Sequence, residues 1–419
     1  IGPSANTRTR ETNLAKADRS RLLARNEQLL YREKRMLPLV NMEPNIDIQY
    51  DNWLMDSISK YKNLHMYSMQ DKVTAMEWVD SGKSVCVGTS SGSKHEILEL
   101  SLPDKLLATE EEGAVIKGRD FSVKNGGFCQ GEITSIKHIP GTRLCLVVEK
   151  NSSTVTAWKM GNNESDMIQK QKEIQGLKSS CPRLEVCIDG QGTVQNFAYG
   201  SRTNDISVVD LATFQTVTDS TDLSLSQEVS YLSFLGHGTI LCCCRNSGDL
   251  IVLDLRDKKV KVTHSPCLGR QAAFWTAVKS MDGCATNQGK TLLIQLSSEG
   301  QFIILDPRKI NECISGATTH KGAKTDSKHI NLQVSSCQKY VSTSGFDGEV
   351  DVFCFDSFKN SDENKIGPVF THQGHITTCE EPITSDFTVT AHLQHPLQAS
   401  LIISAASDGS LHAWEYIIK

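Results

Sequence analysis

The stretch SDGSLHAWEY, residues 407–416, decides the reading of this chain. Asp408-Gly409 is a hairpin dipeptide, because Asp and Gly tolerate the positive φ that tight turns require. After the turn the side chains alternate. Leu411, Ala413 and Glu415 fall on one side, and His412, Trp414 and Tyr416 on the other, a period of two that predicts a strand. Six phrases of the same kind precede it: SGSKHEILEL (91–100), NSSTVTAWKM (151–160), TNDISVVDL (203–211), NSGDLIVLDL (246–255), SEGQFIILDP (298–307) and FDGEVDVFCFD (346–356). Taken at Leu98, Trp158, Val209, Leu253, Leu305, Phe353 and Trp414, the copies are 60, 51, 44, 52, 48 and 61 residues apart. A turn-and-strand phrase recurring at roughly this interval is the mark of a propeller blade. A β-sandwich also carries turn signals, about every 8–12 residues, but seven copies at long, similar intervals favour a closed ring. The expected fold is all-β: a seven-bladed β-propeller.

The last copy is the fullest. His375, Ser404, Asp408 and Trp414 stand in the order of the hydrogen-bonded tetrad of WD40-type blades. A buried Trp N–H needs an acceptor, and a Ser–His–Asp relay supplies one. The same residues invite comparison with a catalytic triad, but the structural tetrad is the favoured reading. Thr343, Asp347 and Phe353 repeat the offsets one blade earlier, with a Phe that cannot donate. No Trp-Asp dipeptide occurs anywhere, so the repeat is degenerate.

A blade needs a fourth strand after the phrase containing Trp414, and an unpaired strand edge invites aggregation. The alternating segment 63–69 (NLHMYSM) is expected to pair with 410–417 and close the ring. Residues 63–419 then form the propeller. Before it, residues 42–62 are expected to hold a short helix, with Trp53, Leu54, Ile58 and Tyr61 at helical spacing. That helix either packs an apolar stripe on a blade or docks a partner, and packing is favoured.

Residues 1–41 differ in composition. Nine Lys or Arg against four acids give +5, leaving −10 for the rest of a chain whose net charge is −5. A nucleic-acid or membrane arm, a transit-like peptide and a leader ahead of Met42 all fit such a basic segment. Its acids Asp18, Glu27 and Glu33 count against a transit peptide. A disordered extension or non-native leader is the favoured reading.

No run of eighteen apolar residues is present, so no spanning helix is expected. Fourteen cysteines without a C-x-x-C pair or a visible secretory signal predict reduced thiols rather than zinc ligands or disulfides. Cys242, Cys243 and Cys244 lie in one strand, so Cys243 must face away from its two neighbours. Walker-A, G-x-S-x-G and H-E-x-x-H patterns are absent, and Gly190 and Gly192 read as a turn. Glu110, Glu111 and Glu112 read as a solvated charge run. No catalytic residue, cofactor or metal is expected, and the acidic propeller argues against phosphate-backbone binding. Three long insertions, 103–127, 306–329 and 374–391, are the expected places for partners to dock.

From Met42 onward the chain resembles the WD repeat-containing protein 73 family. The carriers are Asp51-Asn52-Trp53-Leu54, Arg119-Asp120-Phe121, Gly126-Gly127-Phe128, Gly345-Phe346-Asp347-Gly348, Phe370-Thr371-His372-Gln373-Gly374-His375, and Ser410-Leu411-His412-Ala413-Trp414. The resemblance implies a non-enzymatic cytoplasmic protein that helps assemble the Integrator RNA endonuclease module together with a HEAT-repeat partner. It also implies links with microtubules, spindle poles and the cleavage furrow, so tubulin or spindle proteins are the alternative partners. It implies no catalytic residues.

Overall fold

In the computed structural model, the described residues are 45–107, 120–162, 165–174, 182–188, 193–221, 224–236, 238–254, 256, 259–263, 272–281, 291–322, 329–358, 365–377 and 387–417. The basic segment 1–41, Glu110–Glu112 and the Gly190/Gly192 turn lie outside them. Residues Trp53–Lys419 form one unit, built of seven four-stranded antiparallel sheets.

Each repeat phrase supplies the third strand of a blade. In chain order these are Lys94–Ser101, Val155–Lys159, Ser207–Asp210, Leu250–Asp254, Gln301–Leu305, Val350–Cys354 and Ser410–Tyr416. The first strands contact one another around the centre, from Lys72–Val79 through to Val389–Gln394 and back, so the ring is closed. In six of the seven blades the turn between second and third strands uses a residue with positive φ. Gly409 has φ 86° and Gly248 has φ 70°, and a Cβ on Gly248 would sit 2.8 Å from the Trp275 ring.

Seven apolar clusters fill the seven junctions between blades. One joins the first and last blades through Val85, Val87, Leu401 and Leu411. Others join blades 1 and 2 through Ile97 and Val147, 2 and 3 through Val155 and Phe197, and 3 and 4 through Val208 and Leu253. The series continues with Leu250 and Trp275 between 4 and 5, Phe302 and Phe353 between 5 and 6, and Val352 and Trp414 between 6 and 7. Cys242 and Cys244 serve the blade 3–4 junction, while Cys243 serves the next, as strand alternation requires. The described cysteines are all free.

Closure follows the expected pairing, with a boundary shift. The closing strand is Tyr61–Ser68, two residues earlier than expected, and it lies antiparallel to Ser410–Tyr416 with Leu64 opposite Trp414. The preceding helix, expected within 42–62, is Asn45–Lys60, and Tyr61 is strand, not helix.

The three insertions are shorter than expected. Ser122–Cys129, which begins inside 103–127 and runs past its end, is the outermost strand of blade 1. Cys313–Thr318, inside 306–329, is the outermost strand of blade 5. The segment 374–391 opens with the one-turn helix Gly374–Thr377 and ends in the first strand of blade 7, Val389–Gln394. Outermost strands touch solvent on much of their surface and so lack the apolar run of inner strands, which is why they read as loops.

Candidate functional site

The singled-out residues gather where blade 7 meets blade 6 and the closing strand. Gly374-His375 sits on the one-turn helix before blade 7, Ser404 on its second strand, Trp414 on its third, and Asp408 in the turn between those strands. Trp414 Nε1–H donates to Ser404 Oγ at 3.0 Å, and Ser404 Oγ lies 2.8 Å from His375 Nε2. Asp408 does not reach His375 directly. It accepts from the Ser410 hydroxyl at 2.7 Å, and Ser410 Oγ is 2.7 Å from His375 Nδ1. The expected four-membered relay therefore has a fifth member.

The two ends of this relay fix every proton in it. The indole N–H only donates and the carboxylate only accepts. Because Ser410 gives its hydrogen to Asp408, it must accept the Nδ1–H of His375. Nε2 of His375 is then bare and takes the Ser404 hydrogen, leaving a Ser404 lone pair for Trp414. His375 is thus held as the neutral Nδ1–H tautomer, and burial lowers its pKa to about 3.

Two further histidines, not singled out in the sequence, complete the cluster. His372 lies on the outermost strand of blade 6, and its Nδ1 is 2.8 Å from the Tyr61 hydroxyl of the closing strand. Its Nε2 is 3.1 Å from His412 Nδ1 on blade 7. Tyr61, His372 and His412 thus form a hydrogen-bonded chain across the closing strand, blade 6 and blade 7. His372 also stacks on Trp414 at 4.5 Å, and His412 on His375 at 3.9 Å with 6° between planes. Gly374 makes that stack possible, because a Cβ there would fall 2.6 Å from the His372 ring. Burial, followed by the neighbouring imidazoles, holds the His372 pKa well below its usual range, and burial lowers His412 to about 2. The sequence signal for these residues lay in the FTHQGH and SLHAW phrases, where alternation gives a residue's face but not its neighbour on another strand.

The ligand atoms of His372, His375 and His412 lie within 4.8 Å of one another, close enough to suggest a metal set. Their bonding does not suit one. A metal on His375 would displace a serine hydroxyl from one of its nitrogens. The parallel His375 and His412 rings also aim their lone pairs side by side rather than at a common point. Nor is the Ser404–His375 pair a nucleophile with its base. Both residues are fully buried, and Ser404 spends its hydroxyl on the relay. The geometry is that of a structural lock.

Other polar pins cross the blade junctions. Buried Glu99 of blade 1 accepts both guanidinium nitrogens of Arg143 in blade 2, at 3.1 and 2.6 Å, with Ser84 and Asn125 completing its shell. Burial alone would raise the Glu99 pKa, but these donors bring it below its ordinary value. His392 of blade 7 lies 2.9 and 2.7 Å from the Ser342 and Ser344 hydroxyls of blade 6. Lys321 binds Asp347 and Asp351 at 3.1 and 2.9 Å, and Glu349 as well.

This architecture, with a Trp–Ser–His relay in its closing blade, defines a seven-bladed WD-type propeller. No family model matches the chain. The chain is 33% identical over 374 residues to the Integrator complex assembly factor WDR73 of Danio rerio, covering 88% of this chain and 97% of that protein. The protein of the same name from Homo sapiens is 29% identical over 379 residues, covering 88% and 97%. That from Xenopus laevis is 30% identical over 385 residues, covering 87% and 97%. The chain belongs to the WDR73 family.

Proposed function

We propose that this chain is a non-enzymatic Integrator complex assembly factor that binds and stabilises subunits of the RNA endonuclease module, in company with a HEAT-repeat partner. One observation carries the reading: relatives matched over 97% of their length bear the name Integrator complex assembly factor. The geometry is in keeping with it. The polar cluster most suggestive of chemistry is buried and spent on holding blades together, which suits a rigid platform that works through its surface. The relatives' names support assembly and lend nothing to the microtubule alternative.

The test is affinity purification of the tagged full chain from cells under gentle conditions, with quantitative mass spectrometry. Integrator endonuclease subunits at near-stoichiometric amounts are the expected result. Tubulin and spindle proteins in their place would overturn the proposal.

A further inference from the structure

The last two turns of the helix Asn45–Lys60 carry a covered side and an exposed apolar stripe. Buried Ser57 follows Trp53 by one turn and bonds its carbonyl at 2.7 Å, and Tyr61, one turn further, is buried in the closing strand. Yet Leu54, Met55 and Ile58 are 41%, 69% and 72% exposed. Ile58 follows Leu54 by four residues and Met55 by three, so it neighbours both on one stripe. At the helix end, the Ile417 N–H bonds the Lys60 carbonyl at 2.9 Å and adds a side chain that is 43% exposed. Val217 and Ile314, by contrast, lie on the outermost strands of blades 3 and 5, and isolated exposed apolar side chains are ordinary on protein surfaces. A helix with one face engaged and a second apolar stripe in water marks an interaction surface.

Charge selects the occupant. The helix sequence carries Asp47, Asp51 and Asp56 against Lys60 alone, and Lys60 sits 3.7 Å from Asp56. A second copy of this chain would set acidic helix against acidic helix, which costs energy at an interface. A ridge of side chains at helical spacing packs best into the grooves of another helix. We propose that the Leu54–Met55–Ile58–Ile417 surface docks an amphipathic helix of a different protein, with aliphatic residues at helical spacing flanked by Lys or Arg. The assembly reading above suggests which protein supplies that helix, but the surface and its chemistry do not depend on it.

The experiment places a photo-crosslinking phenylalanine derivative at Met55 in the full chain in cells, with Val217 as control, and sequences the captured peptides. The expected capture at Met55 is a helical, Lys- or Arg-flanked segment of another protein. Capture of a second copy, of this chain's own residues 1–44, of an acidic or extended segment, or nothing above the Val217 control would overturn the proposal. In parallel, Leu54→Ser/Met55→Ser/Ile58→Ser should keep the wild-type melting temperature while retention of the captured partner falls about tenfold or more. Unchanged retention would overturn it. Should the unaltered chain purify without Integrator subunits, the proposed function falls, while the Met55 crosslink still decides this surface.

Discussion

The Trp414 indole, the Ser404 hydroxyl and the His375 ring form a chain in which each hydrogen bond depends on the next. Trp414→Phe removes the donor, leaves a buried Ser404 lone pair unmet and shrinks a fully buried side chain, so a stability loss of about 1–3 kcal/mol is expected from urea unfolding. An unchanged midpoint would show the relay to be energetically idle. His375→Ala should cost more, because it takes the acceptor from the buried Ser404 hydroxyl and the donor from Ser410 and leaves a cavity. The lowered pKa values of His372, His375, His392 and His412 also set a pH dependence. These groups stay neutral when folded but take up protons when unfolded below about pH 6.5. Stability is therefore unaffected above that pH and falls as the pH drops, by up to about 1.4 kcal/mol per pH unit for each histidine. Urea midpoints at pH 7.5, 6.0 and 5.0 should decline in that order, and less steeply in His372→Gln/His412→Gln.

At the scale of elements, the closing strand and the second-to-third turns matter most. Tyr61–Ser68 covers the edge of Ser410–Tyr416, and Tyr61 ties that pairing to blade 6 through His372. Deleting residues 61–68 bares a strand edge beside the lock. The shortened chain should elute as aggregate in size-exclusion chromatography, where the full chain elutes as a discrete species. Gly409 belongs to a turn with φ 86°, and its Cβ position lies 3.0 Å from the Asp71 carbonyl oxygen. Gly409→Ala should cost about 1 kcal/mol or more, read as a lower melting temperature.

For the whole molecule, closure makes every junction a neighbour of two others, so the propeller should unfold as one unit. Arg143→Leu leaves the Glu99 carboxylate buried without its guanidinium, a change worth about 3–5 kcal/mol. If the ring is cooperative, Arg143→Leu near blade 2 and Trp414→Phe in blade 7 each lower a single transition seen alike by fluorescence and circular dichroism. Separate transitions would mean that blades melt in groups.

The repeat phrases by themselves determined the all-β class and the seven blades, because both rest on local turn chemistry and a period of two that survive without tertiary context, and the missing fourth strand of the last blade pointed to the alternating segment 63–69 as its partner. The residue order of the WD-blade tetrad grouped His375, Ser404, Asp408 and Trp414. The outermost strands Ser122–Cys129 and Cys313–Thr318 were illegible, since half-exposed strands carry no apolar run. Only the tertiary structure decided that Ser410 stands between His375 and Asp408, and that Tyr61, His372 and His412 join the cluster. Tyr61 lies 311 residues from His372 in sequence, and no local pattern encodes which face of one blade meets another. That depends on how closely packed strands from separate blades interlock, a property of the closed ring.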